Sequence, residues 1–146
     1  MIPDHVDIGG PWKVLPRGLH DATLEDVKDR FATNVVRNAL YKGLVRACEA
    51  LKIAGCKVIY LDGSFVSDKP CPGDYDAFWD PTNVNPKLID PVFLDFTNRR
   101  KNQKLKYGGE FFPSSAKADK THTYIDYFRT DKETGLEKGI IRIRLQ

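Results

Sequence analysis

Residues 57–80 read KVIYLDGSFVSDKPCPGDYDAFWD, and most of the chemistry in the chain lies in this stretch. Val58, Ile59, Tyr60 and Leu61 are apolar and β-prone, and the run stops at Gly63-Ser64, which predicts a buried strand feeding a glycine turn. After the interval 65–73 come Asp74 and Asp76, leading into Ala77, Phe78 and Trp79, a second strand with two carboxylates at its start. Side chains at i and i+2 of a strand share a face with Cα atoms roughly 6.5–7 Å apart, so the two acids are placed to ligate one divalent cation jointly. Taken singly, Gly-Ser after an apolar run is an ordinary turn and Asp-x-Asp an ordinary strand edge. Their combination at this spacing points to phosphoryl or nucleotidyl transfer.

The pattern resembles the signature of the DNA polymerase β-like nucleotidyltransferase superfamily, in which Gly-Ser is followed by Asp-x-Asp or Asp-x-Glu. GSFVSDKPCPGDYD is more closely similar to an uncharacterised bacterial and phage family of small nucleotidyltransferase-like domains, of the minimal nucleotidyltransferase type. Members share an opening like GPWKVLPRGLHDATLEDV and a closing DK-x-TG-x-x-KGI, so the resemblance covers most of the chain. It implies that Gly63 and Ser64 grip a nucleoside triphosphate and that Asp74 and Asp76 hold Mg2+ or Mn2+. Active members usually take a third carboxylate from a later strand. Asp95 in VFLDF and Asp126 in TYIDYF both qualify, and Asp126 is preferred because its neighbours are β-prone, whereas Asp95 follows a Pro-opened helical pattern. Asp62 departs from the superfamily, which usually has an apolar residue there; it either crowds the triphosphate with charge or points away.

Lys69 lies in the proline-rich loop between the motif halves, near enough in sequence to meet a phosphate, although solvent exposure is the default for a loop lysine. Arg99, Arg100, Lys101, Lys104 and Lys106 concentrate far more positive charge than the net +3 of the chain implies. That run reads equally as a solvated helix face or as a surface drawing triphosphate or nucleic acid, and Arg99, Arg100, Lys101 and Lys104 are the candidate contacts to an RNA or tRNA acceptor.

The rest of the chain supplies the frame. Residues 1–22 are rich in Pro and Gly without sustained periodicity and read as an extended arm packed through Trp12, Val14 and Leu15; residues 23–146 read as the nucleotidyltransferase-like domain. His20 and Asp21 at the end of the arm read as a satisfied polar turn in preference to a catalytic pair. Thr23 with Asp26 marks a helix start. Val36, Leu40, Leu44, Ala47, Cys48 and Leu51 then line one face of a long helix, opposite Arg37, Lys42, Arg46, Glu49 and Lys52, with Gly55 as its stop. Asp90-Pro91 opens another helix. Tyr107, Phe111 and Phe112 pack under the sheet around a Gly108-Gly109 turn. His122 to Arg129 and Lys138 to Leu145 form a C-terminal β-hairpin, the latter alternating Ile141, Ile143 and Leu145 with Arg142 and Arg144.

The expected fold is a single α/β (α+β) nucleotidyltransferase domain, a mixed sheet flanked by helices. Cys48, Cys56 and Cys71 are odd in number and lack Cys-x-x-Cys spacing, which supports neither a disulfide framework nor structural zinc. No apolar run is long enough to span a bilayer and residues 1–10 carry no secretory pattern, so a cytoplasmic protein is expected. The implied activity moves a nucleoside monophosphate from a nucleoside triphosphate to an acceptor, in a toxin–antitoxin or phage-defence setting with a cognate protein partner. The alternatives are a catalytically silent nucleotide- or partner-binding protein of such a system, a protein-modifying nucleotidyltransferase, or a basic RNA-binding module.

Overall fold

The computed structural model describes residues 2–115, 129–131 and 134–146. Thr23 opens helix α1 (Leu24–Phe31): its hydroxyl accepts from the Asp26 amide while the Asp26 carboxylate accepts from the Thr23 amide, so two orphan donors are satisfied reciprocally. Asn34 caps helix α2 (Val35–Ile53) by accepting from the Arg37 amide. Leu44, Ala47, Cys48 and Leu51 are buried as expected, but the first turns differ. Val36 is 42% exposed, whereas Arg37 is 4% exposed and leads the buried stripe that runs on through Tyr41 and Gly43. The reason is polar: five carbonyls from elsewhere in the chain meet the Arg37 guanidinium inside the fold.

Strands β1 (Gly18–Asp21), β2 (Val58–Asp62), β3 (Tyr75–Trp79), β4 (Gly109–Pro113) and β5 (Gly139–Arg144) form one mixed sheet in the order β1-β5-β2-β3-β4. β5 runs antiparallel to β2 and parallel to β1; β3 runs antiparallel to β2 and parallel to β4. Ile59, Leu61, Tyr75, Ala77, Phe111, Ile141 and Ile143 face the helices in one apolar core with Phe31, Leu44 and Leu51. By alternation the opposite face carries Asp62, Asp76 and Glu110. The architecture is thus α+β, with three helices packed on one side of a mixed sheet.

Two strands escaped the sequence reading. The 1–22 arm contains β1 at Gly18–Asp21, and of its expected anchors Leu15 is 1% exposed, but Trp12 is 40% exposed. β4 takes the place of a simple Gly108-Gly109 turn, with Phe111 under the sheet as expected. Of the C-terminal hairpin, the second arm is β5 and an antiparallel bridge joins Thr130 to Glu137 at its base; residues 122–128 lie outside the described residues. Asp90 and Pro91 start only the single turn Pro91–Leu94, with helix α3 (Thr97–Tyr107) following.

Gly43 sits where α2 passes the end of α3, and a Cβ built there would come 1.9 Å from the Tyr107 carbonyl oxygen. In an exposed helix Gly→Ala stabilises by about 1 kcal/mol. Here we expect Gly43→Ala to destabilise by ~1–3 kcal/mol, because two backbones must separate. Urea unfolding of the variant gives the sign directly.

Candidate functional site

The site begins where β2 ends. Gly63 takes φ +88, a left-handed value that favours glycine, and the chain then makes one 3-10 turn over Ser64–Val66. A Cβ built on Gly63 would lie 3.0 Å from Asp76 Oδ2 and 3.2 Å from the Asp76 amide nitrogen. The glycine therefore serves two ends: it makes the turn and leaves room for the Asp76 carboxyl against it.

The loop beyond is held from within. Ser67 Oγ donates to Ser64 O at 2.6 Å, and the Lys69 amide donates to Ser67 Oγ at 3.1 Å. Arg37 donates to the carbonyls of Phe65 at 2.7 Å, Ser67 at 2.8 Å, Phe31 at 3.1 Å and Lys69 at 3.1 Å. A planar guanidinium with five donors can satisfy a ring of carbonyls that no other side chain could.

Strand pairing assembles the acids. Asp62 lies opposite Asp76 across β2 and β3, and Glu110 lies opposite Asp76 across β3 and β4. Asp74 stands just before β3. Burial, then the neighbouring charges of Asp62, Asp74 and Glu110, push the Asp76 carboxyl up to about 7, with Lys138 opposing them. Asp74 is also raised, by burial first and Glu110 second, against the pull of Lys104, Lys69 and Arg100. Three cations offset the ring of acids at its edges. Lys138 Nζ is 3.1 Å from the fully buried Asp62, and Glu110 takes Arg100 at 3.0 Å and Lys104 at 2.9 Å.

A cavity of about 290 Å³ opens beside the turn, lined in part by Trp12, Gly63, Ser64, Lys69, Asp76 and Lys138. Gly63, Ser64, Lys69 and Asp76, singled out from sequence as nucleotide or metal contacts, are thus brought to one place. Asp74 is not among the lining residues but is electrostatically coupled to the same group. Arg100 and Lys104 are engaged by Glu110, Lys106 by Asp90 at 2.6 Å, while Arg99 and Lys101 are exposed. Asp126 lies outside the described residues. Asp95 is remote in role, accepting from the Thr97 amide and hydroxyl and from Asn102 in a local turn. Asp21 is bound to Arg142 and Arg144, and His20 shares a hydrogen bond with the Pro16 carbonyl; both side chains are satisfied, but in strand β1 and not in the turn expected of them.

Hard carboxylate oxygens suit Mg2+ or Mn2+, and an acid whose proton is retained to about 7 by burial first and its acidic neighbours next is one whose ionised form a divalent cation would stabilise. Among the described residues no group of three or more His, Cys, Asp or Glu converges as a ready-made metal cage. Mg2+ is commonly held by one or two carboxylates, with substrate phosphates and water completing the octahedron. Asp74 and Asp76 would be those ligands.

Glu110, Lys138 and Arg37 were missed in the sequence. Glu110 offered one signal, an acid entering the aromatic run Phe111-Phe112. Lys138 and Arg37 offered none, since both depend on distant strands and loops. The chain belongs to a family of unknown function (DUF6932), whose model matches residues 10–144 and so takes in most of the arm as well as the sheet. No curated protein and no solved structure matches it. No helix among the described residues is long and apolar enough to cross a membrane.

Proposed function

We propose that the protein is a metal-dependent nucleotidyltransferase, transferring a nucleoside monophosphate from a nucleoside triphosphate to an acceptor hydroxyl. One observation carries this reading: the Asp76 carboxyl packs against the Gly63 turn, in the same cavity as Ser64 and Lys69. Gly63 and Ser64 then hold the β- and γ-phosphates, and Lys69 and Lys138 balance their charge. Asp74 and Asp76 hold Mg2+, and Glu110, in register with Asp76 and paired with Arg100 and Lys104, adds its charge beside them. The metal, when bound, supplies charge neutralisation at the phosphates and at the pyrophosphate leaving group. Burial and the repulsion among Asp62, Asp74, Asp76 and Glu110 both disfavour a charged Asp76, and a bound cation would relieve them, which supports this reading.

RNA, including tRNA, is the acceptor class proposed, and cytoplasmic RNA in a toxin–antitoxin or phage-defence setting fits a small basic domain. Because Arg100 and Lys104 are tied to Glu110, phosphate contacts fall to Arg99 and Lys101. Replacing both by Ala should weaken RNA binding and lower the salt slope by about one ion per lost contact, read from binding isotherms between low and moderate salt. An unchanged slope would move the acceptor to a protein or a small molecule.

A second reading has its own observation. Glu110 is closed by two cations and Asp76 retains its proton to about 7, which also suits a nucleotide- or partner-binding protein without turnover. Incubating the protein with each labelled nucleoside triphosphate, Mg2+ or Mn2+ and cell extract separates the two. Label in the RNA, protein or small-molecule fraction supports transfer and names the acceptor; bound but unconverted nucleotide supports the silent reading.

A further inference from the structure

Trp12 is 40% exposed although it lies in the middle of an arm anchored firmly on either side. The Lys13 amide donates to Asp68 Oδ1 at 2.7 Å, and the Asp68 amide returns a bond to Lys13 O at 3.1 Å. Val6 and Val14 exchange two backbone bonds, and the Gly139 amide donates to Leu15 O at 3.0 Å. The arm is therefore clipped both to the loop that carries Ser64 and Lys69 and to the strand that follows Lys138. Between those clips an indole is left facing the cavity that these three residues line. Burying a tryptophan is worth several kcal/mol at most sites, and a large apolar ring kept open beside a cavity that also presents the Gly63-Ser64 turn, Lys69 and Lys138 has the geometry of a stacking surface.

We infer that Trp12 is the nucleobase platform of this cavity, stacking a purine while the triphosphate tail runs to Ser64, Lys69 and Lys138. A purine is chosen over a pyrimidine because its two fused rings cover more of an indole. The inference rests on the phosphate-binding reading above and adds the base to it. It also gives the arm a task that β1 does not: the arm is a wall of the site.

The test uses the full chain with Mg2+ and three probes, ATP, CTP and inorganic tripolyphosphate, with affinities measured by calorimetry for the wild type, Trp12→Ala and Trp12→Phe. Main-chain bonds hold the arm, so truncating an exposed ring leaves it in place. Trp12→Ala should weaken ATP by about 5- to 150-fold, the range for losing one base–aromatic stack, and leave tripolyphosphate unchanged. Trp12→Phe should recover most of the ATP affinity, and wild type should prefer ATP to CTP. ATP affinity unaffected by Trp12→Ala, or ATP and tripolyphosphate weakened alike, would overturn the platform while leaving the phosphate site standing. Equal binding of ATP and CTP would overturn the purine choice. Failure of the wild type to bind either a nucleotide or tripolyphosphate would overturn both this inference and the reading beneath it.

Discussion

Asp76→Asn should abolish nucleotidyl transfer and, at pH 8 without metal, make the protein more stable. Asn keeps the size and hydrogen-bonding capacity of the protonated acid while removing the charge that burial first, and then Asp62, Asp74 and Glu110, oppose. The sign follows from the raised value: between 3.8 and about 7 the folded protein keeps a proton on Asp76 that the unfolded chain has released. The stabilisation is complete below the unfolded value and is lost as pH rises through about 7. Moving a carboxyl from 3.8 to about 7 corresponds to on the order of 4 kcal/mol of penalty at pH 8, the ceiling of what Asn can recover. The gain should vanish near pH 4. Mg2+ should raise the unfolding midpoint of the wild type at pH 8 and leave Asp76→Asn nearly unmoved. Transfer should fall by a factor corresponding to several kcal/mol of lost charge stabilisation. Unfolding curves at both pH values, with chelator and with Mg2+, decide the matter: a variant less stable than wild type at pH 8 would refute the penalty of burial and repulsion on Asp76, and full transfer activity would refute the mechanism.

What was legible in the sequence was local. Thr23 and Asp26 lie three residues apart, so their reciprocal cap follows from chain geometry, as does the turn at Gly63 after the apolar run of β2. β5 was readable from the strict alternation of Ile141, Arg142, Ile143 and Arg144. β1 and β4 were not, for an identifiable reason. Both are edge strands, each paired in parallel with one neighbour, and both are flanked by glycine or proline that marks turns. Pro113 is tolerated because it ends such an edge, and Asp21 meets Arg142 across 121 residues of chain. The acids followed the same division. Asp74 and Asp76 declare themselves by spacing, whereas Glu110 becomes a site residue only through the register that sets it opposite Asp76. Trp12 misled because bulk and hydrophobicity predict burial, while its exposure is fixed by the backbone clips on either side of it.

Arg37 is where helical periodicity failed most completely, and it carries the largest stability effect expected outside the acids. A helical wheel assigns it to the polar face, since nothing within α2 reveals that the carbonyls of Phe65, Ser67 and Lys69 will converge on it from a loop about 30 residues away. Burial lowers its basicity, yet it remains a cation enclosed by oxygens, its guanidinium also lying 5.5 Å from the centre of the Phe65 ring. Arg37→Met keeps the apolar stem but orphans these carbonyls and that of Phe31. The expected loss is ~3–5 kcal/mol, the range for removing one partner from a buried charged network. Arg37→Lys should recover only part of it, because an ammonium with three donors on a single nitrogen cannot span carbonyls arranged for a fork. The same bonds fix the loop that presents Ser64 and Lys69, so in whatever fraction of Arg37→Lys remains folded, tripolyphosphate affinity should also drop. Urea unfolding paired with calorimetry on the folded variant checks both halves. An Arg37→Met protein within about 0.5 kcal/mol of wild type, the scatter of ordinary surface substitutions, would mean that the loop is held by something other than this guanidinium.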